Sequence, residues 1–297
     1  MNKNKAHSEE YFTDSRNFWW NQDFLELLSK RCRFNTVHKV LDVGAGQGHW
    51  TQALFPFLPS DAELTAVEPE ERSRNIGDER LKGRVKFVNG TAEKLPFPDA
   101  SFDMITCQTV LIHVADPLIA IKEMLRVLKP GGLILAVEPN NLFRELVRDS
   151  ISYKRSLDEH MKNLKFLLQC YQGHASEGKG ERNRGDFLVQ YFVKSGIQEV
   201  SSCLSDKSSP LYPPYEKEEQ KAIIKALKEA YESRQYYWTE EETRRFFLAG
   251  GGTEKEFQEN WARFKKHLAD ILEDIEKGEY YDPGTCLMYI VWGRKQK

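Results

Sequence analysis

Cysteine is scarce in this chain, and no two cysteines form a short motif. The five cysteines are spread over 297 residues, and none belongs to a C-x-x-C pair of the kind that zinc sites use. Their odd number and wide spacing favour reduced thiols over a disulfide framework. We therefore expect neither a structural zinc ion nor any other bound metal.

Long apolar runs and an excess of charge are also missing. No segment approaches the ~20 apolar residues that a helix needs to cross a bilayer, and residues 1–7 contain no apolar core of a signal peptide. The formal net charge is −2, and the charged residues are not gathered into a basic tract. These absences argue against a membrane span and against a nucleic-acid partner, whose phosphates attract clustered Lys and Arg. We expect a cytoplasmic protein.

The apolar residues that are present follow an alternating pattern. They make up 40% of the chain, enough for a full α/β core with an additional helical part. Short apolar runs that we interpret as strands alternate with helical patterns; the runs are 40–43, 64–67, 85–88, 104–107 and 133–137. This alternation predicts a doubly wound, mainly parallel sheet with helices on both faces, whose ligands bind beyond the carboxyl ends of the strands.

The first of these runs ends in a glycine-rich segment. Asp42 is followed by Gly44, Ala45, Gly46 and Gly48, a composition that lets a backbone turn sharply and approach a ligand closely. The spacing differs from the G-x-G-x-x-G of dinucleotide sites, because the third glycine comes one position too early. A site for another nucleoside-bearing ligand remains, beside the simpler interpretation as an ordinary turn.

An acidic residue follows the second run. Glu68, before Pro69, lies 24 positions after Gly44, and a doubly wound sheet places such a carboxylate beside the first loop. There it can accept hydrogen bonds from both hydroxyls of a ribose. A solvated strand end is the alternative.

The segment after the third run carries the most specific pattern. Residues 91–97 read TAEKLPF, Phe102-Asp103 follow, and 126–132 read RVLKPGG. Together with the glycine segment, these motifs cover 37–140, which resembles the class I S-adenosylmethionine-dependent methyltransferases, in particular the group of ubiquinone and menaquinone biosynthesis C-methyltransferases. The resemblance implies a Rossmann-like sheet of seven strands, the last of them antiparallel between the fifth and the sixth.

The resemblance also implies a set of cofactor-binding residues. S-adenosylmethionine would contact the following positions of this sequence: Asp42, Gly44, Ala45, Gly46, Gly48, Glu68, Pro69, Thr91, Ala92, Glu93, Cys107 and Gln108. One departure concerns adenine, because Thr91 stands where the family usually has Asp, and a neutral hydroxyl makes the weaker bond. Glu93 is a partial substitute, and Tyr11 is a candidate to close over the cofactor.

The remaining sequence predicts helices around the core. Residues 8–34 look helical and aromatic, 173–185 look like a mobile surface loop, Asp186 to Ser195 a helix that Asp186 caps, and 216–277 two or more helices. The boundaries that we predict are 1–36 for an amino-terminal helical cap, 37–140 for the cofactor-binding core, 141–183 for a helical and loop insertion, 184–205 for a core helix and strand, 206–283 for a helical substrate lid, and 284–297 for the last strand and tail.

The aromatic residues of the lid segment suggest an apolar or ring-bearing small-molecule acceptor. They are Tyr212, Tyr215, Tyr231, Tyr236, Tyr237, Trp238, Phe246 and Phe247, and the alternative is that they form the core of an accessory helical layer. If the acceptor has to lose a proton, His113 is the first candidate for a general base. Glu138 is the second, with loop anchoring as its alternative role.

Two other functions remain open. The first is a noncatalytic protein that binds the cofactor or a partner, which Thr91 and the large helical segments favour. The second is a nucleic-acid methyltransferase, suggested by the Lys and Arg content of 154–184. The oligomeric state and the methylated atom do not follow from the sequence.

Overall fold

A computed structural model describes residues 14–233, 238–284 and 286–297. Its seven strands form one sheet and are β1 (Lys39–Val43), β2 (Glu63–Val67), β3 (Val85–Val88), β4 (Phe102–Gln108), β5 (Leu128–Asn140), β6 (Gln198–Leu204) and β7 (Leu287–Arg294). The strand order is β3-β2-β1-β4-β5-β7-β6. Only β7 runs antiparallel to its neighbours, β5 and β6. The predicted fold class and the place of the last strand are confirmed.

Nine α-helices occur in the described part of the chain. They are α1 (Gln22–Cys32), α2 (His49–Leu54), α3 (Glu71–Leu81), α4 (Pro117–Val127), α5 (Leu157–Ser176), α6 (Leu188–Lys194), α7 (Glu218–Ser233), α8 (Glu240–Ala249) and α9 (Glu254–Lys277). Within the described residues, none of the helices is both long enough and apolar enough to span a membrane.

Two apolar layers cover the sheet because successive side chains of a strand point to opposite faces. Leu41 and Val43 of β1 are buried on one face with side chains of α4 and α6. Val40 is buried on the other face with side chains of α1 and α2. Asp116 is the N-cap of α4, and its side chain accepts a hydrogen bond from the Leu118 amide.

The amino-terminal aromatic residues pack on the sheet, as predicted for most of them. The ring of Trp20 lies 6.1 Å from that of Phe24 and 4.9 Å from that of Trp50. The predicted helix over 8–34 is shorter, since α1 begins at Gln22 after a 3-10 helix over Asp14–Phe18. Tyr11 lies outside the described residues.

A separate helical layer has an aromatic core of its own. Side chains of α5, α8 and α9 form this core, which is joined by Trp238. Trp238, Phe246 and Phe247 are at most 3% exposed, and a ring so enclosed has no surface to offer a ligand. For these three residues the accessory-core alternative is confirmed. Tyr236 and Tyr237 lie outside the described residues.

Two predictions about the segment before β6 are wrong. Residues 173–185 are not an exposed loop, because His174 and Arg182 are 1% and 5% exposed and the backbone of Gly180 abuts the Ile112 carbonyl. Nor does Asp186 cap a helix. It lies in a 3-10 helix, Arg184–Phe187, that precedes α6, and its carboxylate accepts from the Asn140 amide group. A polar composition does not by itself make a segment exposed, because glycine allows backbone to pack against backbone.

Candidate functional site

The predicted cofactor residues gather at one edge of the sheet. Val43 of β1 pairs with Val67 of β2 and with Cys107 of β4, so these parallel strands end at the same level. Gln108 pairs with Val137 of β5 one residue further on. The loops that follow β1, β2, β4 and β5 therefore converge at this edge, as the topology requires.

The glycine segment forms a tight turn against β2. The amides of Gly44 and Ala45 donate to the Val67 carbonyl at 2.7 and 3.0 Å, and the Gly48 amide donates to the Ala45 carbonyl at 2.8 Å. Gly44, Gly46 and Gly48 have positive φ angles of 67°, 54° and 79°, which glycine adopts without steric cost. A Cβ atom on Gly44 would lie 2.5 Å from Cγ2 of Val110. The turn thus requires glycine for its conformation and for its contact with the loop after β4.

Glu68 connects the end of β2 to this turn. Its carboxylate accepts from the Gly46 amide through Oε2 and from the Glu70 amide through Oε1, both at 3.0 Å. The side chain is 6% exposed, and burial raises its pKa. A carboxylate offers about four lone-pair positions, so one remains on each oxygen. That leaves a pair of acceptors side by side, which suits a ribose diol.

Asp42 is a second buried carboxylate at the same edge. It is 1% exposed, its Oδ2 accepts from the Thr51 hydroxyl, and its Oδ1 is buried without a hydrogen-bond partner among the described residues. Burial, and secondarily the charge of Glu68, raises the pKa of Asp42 to about 7. Two neighbouring buried carboxyl groups with an unpartnered oxygen favour a ligand that carries positive charge.

The predicted adenine contacts lie after β3. Ala92 is buried, whereas Thr91 and Glu93 are exposed beside it. Pro69, beyond β2, is also exposed, and its carbonyl accepts from Arg74. β3 ends at the same level as β2, so these residues follow strands that end beside Glu68. The role of Glu93 as a partial substitute for the aspartate stays a prediction.

The end of β4 forms the floor of the site. Cys107 is 1% exposed, and burial raises the pKa of its thiol well above the usual range. The thiol is therefore protonated at neutral pH and is no nucleophile. Gln108 is 9% exposed, and its Nε2 is buried without a hydrogen-bond partner in the described part of the protein. This unpartnered buried donor, like the unpartnered acceptor Oδ1 of Asp42, is costly unless a ligand engages it.

Glu138 anchors the loop that follows β4. Its carboxylate, 0% exposed, accepts from the amides of Val110, Leu111 and Ile112 at 2.8, 2.7 and 3.3 Å. Burial raises its pKa to about 7 against the opposing effect of these amides. Both oxygens are occupied inside the protein, so the geometry favours loop anchoring over proton transfer.

His113 ends that same loop and faces outward. It is the last residue of a 3-10 helix, Leu111–His113, and is exposed at the ligand edge. Its amide donates to the Val110 carbonyl at 3.0 Å. Of the two base candidates, His113 is therefore the exposed one and Glu138 the buried one.

Sequence reasoning missed three contributors to the site. Thr51 donates to Asp42, Val110 packs on Gly44, and Arg74 donates to the carbonyl oxygens of Glu68 and Pro69. A hydroxyl in the helix after a glycine segment is a usable signal for the first contact. The other two depend on how separate loops meet, which no local pattern encodes.

Known proteins with similar sequences are methyltransferases, or are named as such. Residues 41–136 match the model of a methyltransferase domain. YcgJ of Bacillus subtilis (strain 168), named an uncharacterized methyltransferase, is 38% identical over 130 residues, which are 43% of this chain and 51% of YcgJ. A demethylmenaquinone methyltransferase of Staphylococcus aureus (strain MRSA252) is 44% identical over 102 residues, 34% of this chain and 42% of the relative. The chain thus spans about half the length of these relatives.

Solved structures show the same fold over most of the chain. The crystal structure of YcgJ gives a TM-score of 0.50 at 20% identity and covers 93% of this chain and all of YcgJ. The [4+2]-cyclase SpnF gives 0.50 at 18% identity, covering 93% of this chain and 80% of that protein. At these identities the likeness concerns the fold alone. Residues 41–136 thus match a methyltransferase domain, and the sheet has the Rossmann-like fold of the methyltransferase YcgJ.

Proposed function

We propose that this chain transfers the methyl group of S-adenosylmethionine to a small, apolar or ring-bearing acceptor. The observation that carries the proposal is the buried Glu68 carboxylate, held 3.0 Å from the Gly46 amide with one acceptor position left on each oxygen. A ribose diol fits that pair of acceptors. The methyltransferase-domain match over residues 41–136 supports the same cofactor.

The other buried polar groups fit the rest of the cofactor. Asp42 and the turn from Gly44 to Gly48 would hold the methionine part, where the carboxylate balances the positive sulfonium and ammonium groups. Thr91 and Ala92 would hold adenine, with Glu93 at the rim, and Cys107 and Gln108 would line the floor. The unpartnered Oδ1 of Asp42 and Nε2 of Gln108 are the atoms we expect a bound cofactor to satisfy.

In this reaction the main task of the protein is to align the acceptor with the methyl group. When bound, S-adenosylmethionine would supply a methyl group on a positively charged sulfonium. The acceptor attacks the methyl carbon, the carbon–sulfur bond breaks, and the sulfur leaves as a neutral thioether. The protein has to hold the acceptor in line with that carbon and keep water out. For an acceptor that loses a proton, we propose His113 as the base. Glu138 acts indirectly, because it fixes the loop that carries His113.

An aromatic ring compound is the acceptor class that the relatives suggest. One observation supports it, the match to a demethylmenaquinone methyltransferase. That match covers 42% of the relative, so the choice of acceptor has to be tested on this chain itself.

Calorimetric titration with S-adenosylhomocysteine tests the cofactor, with NAD as the control ligand. We expect micromolar binding of S-adenosylhomocysteine and none of NAD. The reaction is then followed as S-adenosylhomocysteine formed from S-adenosylmethionine in the presence of reduced naphthoquinones and catechols. Failure to bind either S-adenosylmethionine or S-adenosylhomocysteine at millimolar concentration would contradict the proposal.

A noncatalytic or differently catalytic cofactor-binding protein is the second candidate. Thr91 in place of the usual aspartate favours it, and the shared fold of the [4+2]-cyclase SpnF shows that this architecture serves other reactions. It predicts cofactor binding without methyl transfer to any acceptor. A stable protein partner recovered by pull-down would favour the noncatalytic form.

A further inference from the structure

A cavity opens at the sheet edge opposite the cofactor site. It has a volume of about 320 Å³ and lies between the end of α1, the start of β6 and the end of β7; its lining residues are Arg31, Cys32, Arg33, Glu199, Ser201, Trp292, Gly293 and Arg294. Arg294 pairs with Leu133 of β5, four residues before Val137 at the cofactor edge. At ~3.3 Å per residue, the two sites are ~13 Å apart along the strands. The volume is within the range of small-ligand pockets, ~300–1,000 Å³.

The cavity collects positive charge in a chain whose net charge is −2. Three arginines line it, against one carboxylate, Glu199. Arg294 is held in place because its Nη2 donates to the Cys32 carbonyl at 3.0 Å, and Arg31 contacts the Cys203 thiol. The Arg33 side chain makes no hydrogen bond or ion pair with any described residue. Guanidinium groups bind phosphate oxygens through two parallel hydrogen bonds, so this set suits a phosphate-bearing anion.

The backbone around the cavity is held in an uncommon conformation on both sides. Arg33 has a φ of 58° and Glu199 a φ of 52°, in the left-handed region where glycine is usual. Glu199 lies in a bulge of β6, between Gln198 and Ser201, and bulges at an edge strand hinder unwanted pairing. Arg33 is the C-cap of α1, a position where a left-handed conformation commonly ends a helix, and its amide donates to the Lys30 carbonyl. Both conformations therefore have local causes, and a ligand is indicated by the cavity and its charges.

We propose that this cavity binds a small anion that carries phosphate groups. The ligand fits among the guanidinium groups of Arg31, Arg33 and Arg294, with the Trp292 side chain on one wall. The small volume of the cavity favours a small molecule over a nucleic-acid strand, whose backbone follows an extended basic surface. The site is separate from the proposed methyl-transfer site and does not depend on it.

Calorimetric titration of the full chain with inorganic pyrophosphate, and separately with ADP, tests the site. We expect one molecule bound per chain, and at least tenfold weaker binding in Arg31→Gln and in Arg33→Gln, whose side chains are exposed and leave the core intact. Ser201→Glu keeps all three arginines but places a carboxylate in the cavity, and it should abolish binding. Tighter binding of ADP than of pyrophosphate would identify a nucleotide, and equal binding would identify the phosphate groups alone as the ligand.

Arg148→Gln is the matched control, since it removes the same charge from an exposed residue outside the cavity. The proposal fails if pyrophosphate does not bind at millimolar concentration, if more than one molecule binds, or if Arg148→Gln weakens binding as much as Arg33→Gln does. It also fails if a single-stranded oligonucleotide binds more tightly than either probe. Binding of S-adenosylhomocysteine, measured on the same samples, should be equal in all these variants.

Discussion

Replacing Glu68 with alanine tests the cofactor site most directly. The carboxylate has one free acceptor position on each oxygen, so Glu68→Ala removes both proposed ribose hydrogen bonds. A hydrogen bond to a charged group contributes ~1.5–3 kcal/mol, and two at the lower value amount to ~3 kcal/mol. Since ~1.4 kcal/mol is tenfold in affinity, the Kd for S-adenosylhomocysteine should rise by at least ~100-fold.

The assay is calorimetric titration at pH 8, on the alkaline side, because burial raises the pKa of Glu68. Glu68→Gln keeps one acceptor oxygen and should give an intermediate affinity. Glu63→Ala, at the exposed amino end of the same strand, is the matched control and should bind like the unmodified protein. Thermal unfolding of each variant verifies that it is folded. A change of less than ~10-fold in a folded Glu68→Ala protein would refute the ribose role.

Four further predictions concern the same edge of the sheet. Gly46→Val should abolish binding of S-adenosylhomocysteine in titration, because φ is 54° there and a side chain would fill the approach to the turn. Below pH 7, Asp42 gains a proton and no longer balances the charge of the sulfonium. Titrations at pH 6, 7 and 8 should therefore show the affinity for S-adenosylmethionine fall toward pH 6 by up to ~10-fold per pH unit. The affinity for S-adenosylhomocysteine should fall less. Glu138→Ala leaves three amides without their acceptor and should lower the free energy of unfolding in urea by ~3 kcal/mol or more. His113→Ala should lower kcat on a proton-losing acceptor by ~100-fold or more with unchanged cofactor affinity; equal turnover would remove it as the base.

The parts of the fold that follow from local patterns could be predicted. Apolar runs bounded by glycine, proline or acidic residues place the ends of β1 to β4 within two residues, whereas β5 extends five residues before and three residues beyond its predicted run. Parallel strands then bring those ends together. Asp42, the glycine turn, Glu68 and Gln108 therefore lie at one edge, as expected. The roles of Tyr11 and of the adenine-side residues remain predictions.

The rest depends on contacts between distant segments. The burial of Phe246 and Phe247 could not be separated from a ligand-facing role, because a core and an apolar pocket use the same residues. The choice between the two roles of Glu138 needed the path of the loop from Val110 to Ile112, which is fixed by the carboxylate itself. Residues 173–185 look solvated by composition, yet glycine lets their backbone pack closely.

That close packing has a consequence for cooperativity. Gly180 abuts the Ile112 carbonyl, and a Cβ atom on Gly185 would lie 2.6 Å from the Glu138 carbonyl oxygen. The segment that follows α5 thus packs against the loop after β4 that Glu138 anchors. Loosening the helical layer would therefore also disturb this loop, which contacts Gly44 through Val110. The helical layer and the sheet should therefore unfold together, and the layer should not open and close as a lid. An acceptor would then reach His113 without displacing the contacts of Gly180 and Gly185.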